Sequence, residues 1–479
     1  MSLPGRNSNS LFTNSFFIFA VRFFPSLANL LVMIWYSRHL SETQYGNYQH
    51  FWIHLLIIYP VICFGIHVLL ITYSRSFILS LLRRIKTKYY VLYFIWAISW
   101  SALFGWLQWS SLSLTFVVPF LFIFFYALSF IFESYLIVSG VYKNLTVISV
   151  LYSIIFCGIH WCVLADGFSL QSLFLYLLLL TAVRFGVYCG IAIVNIRNYR
   201  ETQTRKEAPL GHISSLWLHL GLYDISQVLF SYIDKFIISI LLTASVTAVY
   251  FNGSQNIPFL PLLLSAAGSA VLMQLAAGKQ QDEAADTIRL MNQTGRVLSC
   301  IVFPLFFFLL FFRTELVVWL LTDKYIPAIP VFFVSILVLP VRAYSYTTVL
   351  QRMHKGRIIN AGALADLLLA CGLMYPLYKW LGLPGVALSF VISTYLQAAF
   401  YLFYSARLLH TTPLKLIPYA NWLLKLLIFA ALFITVRCAG NLFFSGKITL
   451  ILGMIMMVVL SGVSLIMELK KQKVNVSIS

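Results

Sequence analysis

Fourteen stretches of about twenty apolar residues, separated only by short polar gaps, run through this chain of 479 residues. They lie near 12–36, 49–73, 89–108, 112–138, 144–164, 168–195, 214–242, 246–277, 297–320, 327–351, 358–378, 383–405, 420–437 and 447–467. The hydrocarbon core of a bilayer is about 30 Å thick, and a helix crosses it with roughly 20 residues. In lipid an open sheet edge leaves backbone N–H and C=O groups unpaired, so these stretches must be helices. Composition agrees: 61% of residues are hydrophobic and 10% charged, whereas a soluble domain is about a quarter charged. The chain is therefore an all-α polytopic membrane protein, and no gap is long enough for a soluble domain. The polar start Met1–Ser10 runs straight into a spanning stretch, so no cleavable leader is expected.

The excess of 33 Lys and Arg over 14 Asp and Glu, a net +19, would suggest a nucleic-acid partner in a soluble protein. Here the basic residues sit between apolar runs and form no single patch, so nucleic acid is excluded. With the N-terminus in the cytoplasm and fourteen crossings, 22 basic residues fall on cytoplasmic segments, among them Arg75, Arg83, Arg84, Lys86 and Lys88. Outer segments carry only Arg38, Lys324, Lys379 and Lys447, with Arg313 and Arg437 near outer span ends. Cytoplasmic loops hold the Lys and Arg excess in membrane proteins, and an odd count would spread it to both sides. Both termini are thus expected inside. The ninth span and the last pair are the least regular, because Arg313 and Glu315 stand where the ninth should end. The seven cysteines lie in or beside apolar segments without a C-x-x-C pair and read as small hydrophobes.

Internal symmetry is a sequence pointer to transporters. Shifting the chain by 202 positions lays Arg22–Tyr48 over Asp224–Tyr250, with Leu40-Ser41 on Leu242-Thr243 and Tyr48 on Tyr250. Each segment reads as a helix, an outer turn opened by Ser or Thr, and the start of the next helix. The repeat unit is six helices, and the two copies share one orientation. The expected organisation is an N-terminal six-helix lobe at 1–200, a linker at 201–213, a C-terminal six-helix lobe at 214–410, and two further helices with a basic tail at 411–479. Gln203–Gly211 and Lys279–Arg296 read as polar cytoplasmic linkers.

The motif L-S-x-x-x-Y-G-x-Y-Q after the first helix (Leu40, Ser41, Tyr45, Gly46, Tyr48, Gln49) resembles the polysaccharide flippase branch of the multidrug/oligosaccharidyl-lipid/polysaccharide exporter superfamily. So do Asp234-Lys235-Phe236-Ile237-Ile238-Ser239, Ala248-Val249-Tyr250, Asn256-Ile257-Pro258 and Gly382-x-x-Gly385-Val386-Ala387. Leu321-Thr322-Asp323-Lys324-Tyr325 stands where that family often has a leucine-glycine-x-x-tyrosine turn; Thr and Asp in the glycine region are a departure. The resemblance spans roughly the first to the twelfth helix. It implies a V-shaped, MATE-like pair of parallel six-helix lobes around a central cavity, with two added C-terminal helices and alternating access. It also implies transport of isoprenoid-diphosphate-linked sugars across the bacterial inner membrane, with no cofactor beyond H+ or Na+ coupling. The implied partners are an anionic lipid-linked oligosaccharide, membrane lipid, and a polysaccharide polymerase with its chain-length machinery.

Charges at membrane depth are the residues most open to a functional role. One costs about 2.5–3.5 kcal/mol at a helix centre on insertion scales and so faces a wet cavity or a partner. Arg22 lies mid-span in the first helix, Arg184 in the sixth, Lys235 in the seventh and Arg342 in the tenth. These four are the candidate cationic contacts for a diphosphate, which Arg grips bidentately and Lys meets as a point charge. The repeat sets Arg22 against Asp224. Asp224, Asp234, Glu133 and Asp366 are the ion-coupling candidates; the structural alternative is that all these charges only pair or cap helices. Asp234 and Lys235 point about 100° apart on a helix and are not expected to pair. Glu133 and Asp366 are expected to snorkel to the cytoplasmic interface.

His50 and His54 share a helix face with no third metal ligand evident and read as an interfacial pair. Trp35, Tyr36, Trp106, Trp109, Tyr375, Tyr378 and Trp380 read as an aromatic belt. Pro25, Pro258, Pro261, Pro330 and Pro340 interrupt spans and offer bends. The function expected is flipping of an O-antigen or capsule repeat unit. The alternatives are a multidrug antiporter, which would favour a carboxylate-lined cavity, and a lipid II flippase. A membrane-embedded polymerase or transferase is disfavoured by outer loops of about a dozen residues without a D-x-D pair.

Overall fold

The computed structural model describes residues 8–73, 75–198, 210–254, 283–353 and 355–478, and every regular element among them is helical. The chain divides into two compact units, Met1–Ala248 and Val249–Ser479. The first contains α1 (Ser8–His39), α2 (Glu42–Cys63), α3 (Ile66–Thr72), α4 (Arg75–Arg84), α5 (Thr87–Leu112), α6 (Val117–Val138), α7 (Tyr142–Ala165), α8 (Leu170–Arg197) and α9 (Leu210–Leu241). Helix α10 (Ala244–Gly253) follows, then α11 (Glu283–Phe311), α12 (Arg313–Leu321), α13 (Ile329–Ile336), α14 (Thr348–Arg352), α15 (Gly356–Leu381), α16 (Leu383–Leu408), α17 (Pro413–Leu416), α18 (Tyr419–Phe443) and α19 (Gly446–Ile478).

Eleven helical segments among the described residues are long and apolar enough to cross a membrane, and α2 with α3, bent by 58°, makes a twelfth. Helix α9 is also long, 32 residues, but carries Asp224, Asp234 and Lys235. The expected eighth span begins with α10 and continues into residues outside the described ones. Pro258, Pro261 and most of the linker at 203–211 also lie outside them. Large apolar side chains stay exposed along the outer faces, for example Leu92, Ile95 and Leu103 on α5. Lipid tails are as apolar as leucine, so such faces cost nothing in a membrane.

The 202-residue repeat is visible in the helix boundaries. Helices α1 and α9 are each 32 residues long. Their starts, their ends and the starts of α2 and α10 all keep the 202 offset. Ser41 caps α2 through a reciprocal pair: Gln44 N–H donates to Ser41 Oγ at 3.2 Å and Ser41 N–H to Gln44 Oε1 at 3.0 Å. That is a capping box. Thr243 holds the equivalent place, accepting from Val246 N–H at 3.4 Å. Gly46 is glycine because α10 begins against it: a Cβ there would lie 1.8 Å from the Ala244 carbonyl oxygen. Tyr48 turns inward, and its hydroxyl meets His160 Nε2 at 3.1 Å. His160 Nδ1–H donates to Phe156 O at 2.7 Å, which leaves Nε2 as the acceptor. Tyr36 donates to the His160 carbonyl at 3.1 Å and is fully buried. This corrects its assignment to the aromatic belt: its hydroxyl has a partner inside, so the ring need not reach the interface. Trp106, Trp109, Tyr375 and Trp380 are exposed.

Three segments depart from the expected spans. Arg75–Arg84, expected only as a basic loop, is a helix that buries Ile78, Leu79 and Leu81 and ends on Arg83-Arg84. The stretch 283–296, expected as linker, is already α11; Met291 is buried with Tyr344, Leu409 and Leu416, so its apolar stripe has a surface to cover. The tenth span is not one continuous helix. Pro330 starts α13, the chain breaks after Ile336, and Pro340 opens a single 3₁₀ turn, Pro340–Ala343. Proline lacks the N–H that would continue the helix. The second unit packs around α11: Phe303 and Phe307 of that helix, and Phe312 just after it, cluster with Phe429 and Phe433 of α18 and Leu450 of α19. The two C-terminal helices thus form part of its core.

Candidate functional site

The repeat-related residues Arg22 and Asp224 line one cavity of about 380 Å³ within the first unit, together with Tyr59, His67, Thr72 and Phe130. The break between α2 and α3 builds it. Phe64 and Gly65 both take left-handed backbone, φ 40° and 70°, which glycine adopts freely and phenylalanine does not. A Cβ on Gly65 would lie 2.5 Å from the Gly221 nitrogen of α9. The indole N–H of Trp217, one turn before Gly221, donates to the Phe64 carbonyl at 2.6 Å. A backbone carbonyl freed at a helix break is costly when unpaired, so this bond holds the bend. Helix α3 then sets His67 against α9, with Nε2 3.5 Å from Asp224 Oδ2.

Polar groups in this cavity lack full partners. The His67–Asp224 contact is of ion-pair length without hydrogen-bond geometry, and both His67 Nδ1 and Asp224 Oδ2 lack a hydrogen-bond partner among the described residues. His67 is 6% exposed, and its ring lies 4.8 Å from the Phe130 ring, tilted by 60°. Arg22 is exposed where α1 borders the cavity. Among the described residues no carboxylate lies within ion-pair distance of its guanidinium. The cavity therefore presents one fixed cation, one carboxylate and one imidazole.

The other charges singled out from the sequence lie elsewhere. Arg184 and Glu133 meet in the interior of the first unit: Nη2 donates to Oε2 at 2.5 Å. Tyr188 O–H donates to the same oxygen at 3.3 Å, and the guanidinium lies 4.6 Å from the Tyr152 ring. Glu133 does not snorkel; it is 4% exposed because α8 brings it a cation. Asp234 and Lys235 do pair, contrary to expectation, with Nζ 3.1 Å from Oδ2. The 100° between their Cα–Cβ directions is overcome by the four-carbon lysine stem, and burial of both leaves the adjacent carboxylate as counter-charge. Arg342, half-buried, lies in the 3₁₀ turn of the second unit. Asp366 of α15 does not reach an interface either; it is 3% exposed, beside Ser393 of α16. His50 and His54 are buried, not interfacial, with rings 3.9 Å apart and contacts to the Ser239 carbonyl and hydroxyl of α9.

Sequence reasoning missed His67, Tyr59 and Trp217 as site builders. A histidine inside an apolar span, following a glycine two residues earlier, was the available signal. It also missed a buried network in the second unit. Lys425 Nζ donates to the Arg296 carbonyl at 2.7 Å and to Ser299 Oγ at 3.0 Å, and lies 3.5 Å from Glu468.

The fold is that of known membrane transporters. The structure of "Lipid II flippase MurJ, inward closed conformation" superposes with a TM-score of 0.68 at 14% identity, covering 94% of this chain and 98% of that one. An outward-facing "multidrug resistance MATE family transporter of the MOP superfamily" superposes at 0.52 with 15% identity, covering 83% and 94%. Its inward-facing counterpart gives 0.51 at 14% identity, covering 81% and 94%. No curated protein sequence matches the chain. The family model described as "Polysaccharide biosynthesis protein" matches residues 38–330, and over that majority of its length the chain belongs to this family.

Proposed function

We propose that the protein is a flippase that moves an isoprenoid-diphosphate-linked oligosaccharide, an O-antigen or capsule repeat unit, across the bacterial inner membrane by alternating access. The observation that carries this reading is Arg22: a mid-span guanidinium without an ion-pair partner among the described residues, on a cavity of about 380 Å³. That volume is within the roughly 300–1,000 Å³ usual for ligand pockets. A guanidinium there suits the paired phosphate oxygens of the headgroup. Asp224, opposite, is the candidate for H+ or Na+ coupling. Arg184 and Lys235, already neutralised by carboxylates, are assigned to the scaffold. Both termini are placed in the cytoplasm, with a polysaccharide polymerase and chain-length machinery as the downstream partners and no enzymatic step in the chain itself. Lipid II, the cargo named for the MurJ structure, is a second cargo of the same chemistry, and the likeness to that structure favours testing it.

The test is surface polysaccharide in cells carrying Arg22→Ala or Arg22→Lys at normal membrane levels. Loss of polymer with alanine and partial retention with lysine is the expected result. Normal polymer in the alanine variant would remove the cavity from the mechanism, and complementation of a lipid II flippase deficiency would identify the second cargo.

A further inference from the structure

We infer that the His67–Asp224 pair takes up one proton when a diphosphate headgroup binds at Arg22, which makes His67 a determinant of binding in this cavity. The inference rests on the proposed site and goes further by naming a residue and a linked ion. The argument is a charge count. With His67 neutral, Arg22 and Asp224 cancel, and the cavity has no net attraction for a headgroup bearing about two negative charges. Asp224 by itself repels the phosphates. One proton shared with His67 turns that repulsive carboxylate into half of a neutral pair and leaves the cavity at +1.

The geometry is arranged for this. His67 Nε2 faces Asp224 Oδ2 at 3.5 Å, and the contact lacks hydrogen-bond geometry. A protonated imidazole donates from both nitrogens, so charging the ring converts a loose contact into a charge-assisted bond. Among the described residues the remaining groups facing this pair hold no competing charge. Helix α2 supplies Tyr59 and Cys63, α6 the uncharged Phe130 ring, and α9 supplies Tyr223. Glu133 of α6 is committed to Arg184. Among the described residues only Arg22, His67 and Asp224 remain to set the charge of the cavity, and the proton belongs to the pair as a unit.

The experiment is calorimetric binding of a water-soluble short-chain prenyl diphospho-sugar to the purified full-length protein. Both phosphates of this probe are esterified, so the probe itself takes up no proton near neutrality. Titrations in two buffers of different ionisation enthalpy count the protons exchanged. The expected result is net uptake of up to one proton, with affinity falling as pH rises from 6 to 8 by at most about tenfold per unit. His67→Gln should abolish uptake and slope while binding stays dependent on Arg22. Arg22-dependent binding with no proton uptake, or an undiminished slope in His67→Gln, would overturn the linkage and leave the proposed site standing. Absence of binding, or binding unaffected by Arg22→Ala, would overturn the site and the linkage together. Should His67→Gln fail to accumulate, the proton count of the unaltered protein decides alone.

Discussion

Removing the Glu133 carboxylate strands a cation that cannot reach water. The Arg184 side chain is 13% exposed and Glu133 6%, and their contact is 2.5 Å. The guanidinium is otherwise flanked by the rings of Tyr152 and Tyr188, at 4.6 and 5.2 Å. Breaking a buried ion pair by deleting one partner costs about 3–5 kcal/mol in soluble proteins. Polar pairs between membrane helices are worth less, about 0.6–1.7 kcal/mol, because the unfolded state in lipid also finds partners. The two aromatic faces are present before and after the substitution, so their cation–π attraction largely cancels from the difference. Glu133→Ala should therefore destabilise by about 1–3 kcal/mol, and Glu133→Gln by less, since the amide oxygen still accepts. Adding Arg184→Leu to Glu133→Ala removes the stranded charge and should recover most of the loss. Thermal unfolding of the detergent-solubilised protein, followed by size-exclusion fluorescence, ranks the variants. If Glu133→Ala matches the unaltered protein and the double variant is the less stable, Arg184 is hydrated and the reasoning fails. Polysaccharide export by the double variant then separates a packing role for Arg184 from a contact with cargo.

Two further predictions concern backbone positions. Gly46→Ala would drive a methyl group into the Ala244 carbonyl at 1.8 Å; overpacking of this kind costs about 1–3 kcal/mol, so the melting temperature and yield should fall, and an unchanged melting temperature would show that the α9–α10 turn is free to shift. Thr322 sits at φ 80°, ψ 170°, a region that is essentially glycine-only and costs other residues about 1–3 kcal/mol. Thr322→Gly, allowing about 0.5–1 kcal/mol for glycine's entropy, should stabilise by about 1 kcal/mol, and a lower melting temperature would refute the strain.

The departure from the family motif at Thr322 was thus legible as a residue, while its backbone conformation was not. The same holds for the L-S-x-x-x-Y-G motif. Ser41 and Gln44 announce a helix start by their spacing alone, because a cap is local chemistry. The need for Gly46 comes from Ala244, about two hundred positions away, and no local pattern carries it. Asp234-Lys235 shows the reverse error: helical geometry separated the two side chains, and burial with a flexible stem brought them back together. Arg184 and Glu133 were each visible as charges at membrane depth, but their partnership depends on how α6 packs against α8.

What the residues determined unaided was everything governed by the solvent and by local hydrogen bonding: helices in place of strands, the repeat and its 202-residue offset, and the helix-opening caps. Lipid imposes those rules on each segment separately, so each segment states them. Which charges neutralise one another, where the tenth span breaks, and that His67 and Asp224 share a cavity with Arg22 were decided only by tertiary packing. Those outcomes depend on side chains from helices far apart in the chain approaching within a few ångströms, and periodicity along one helix carries no record of its neighbours.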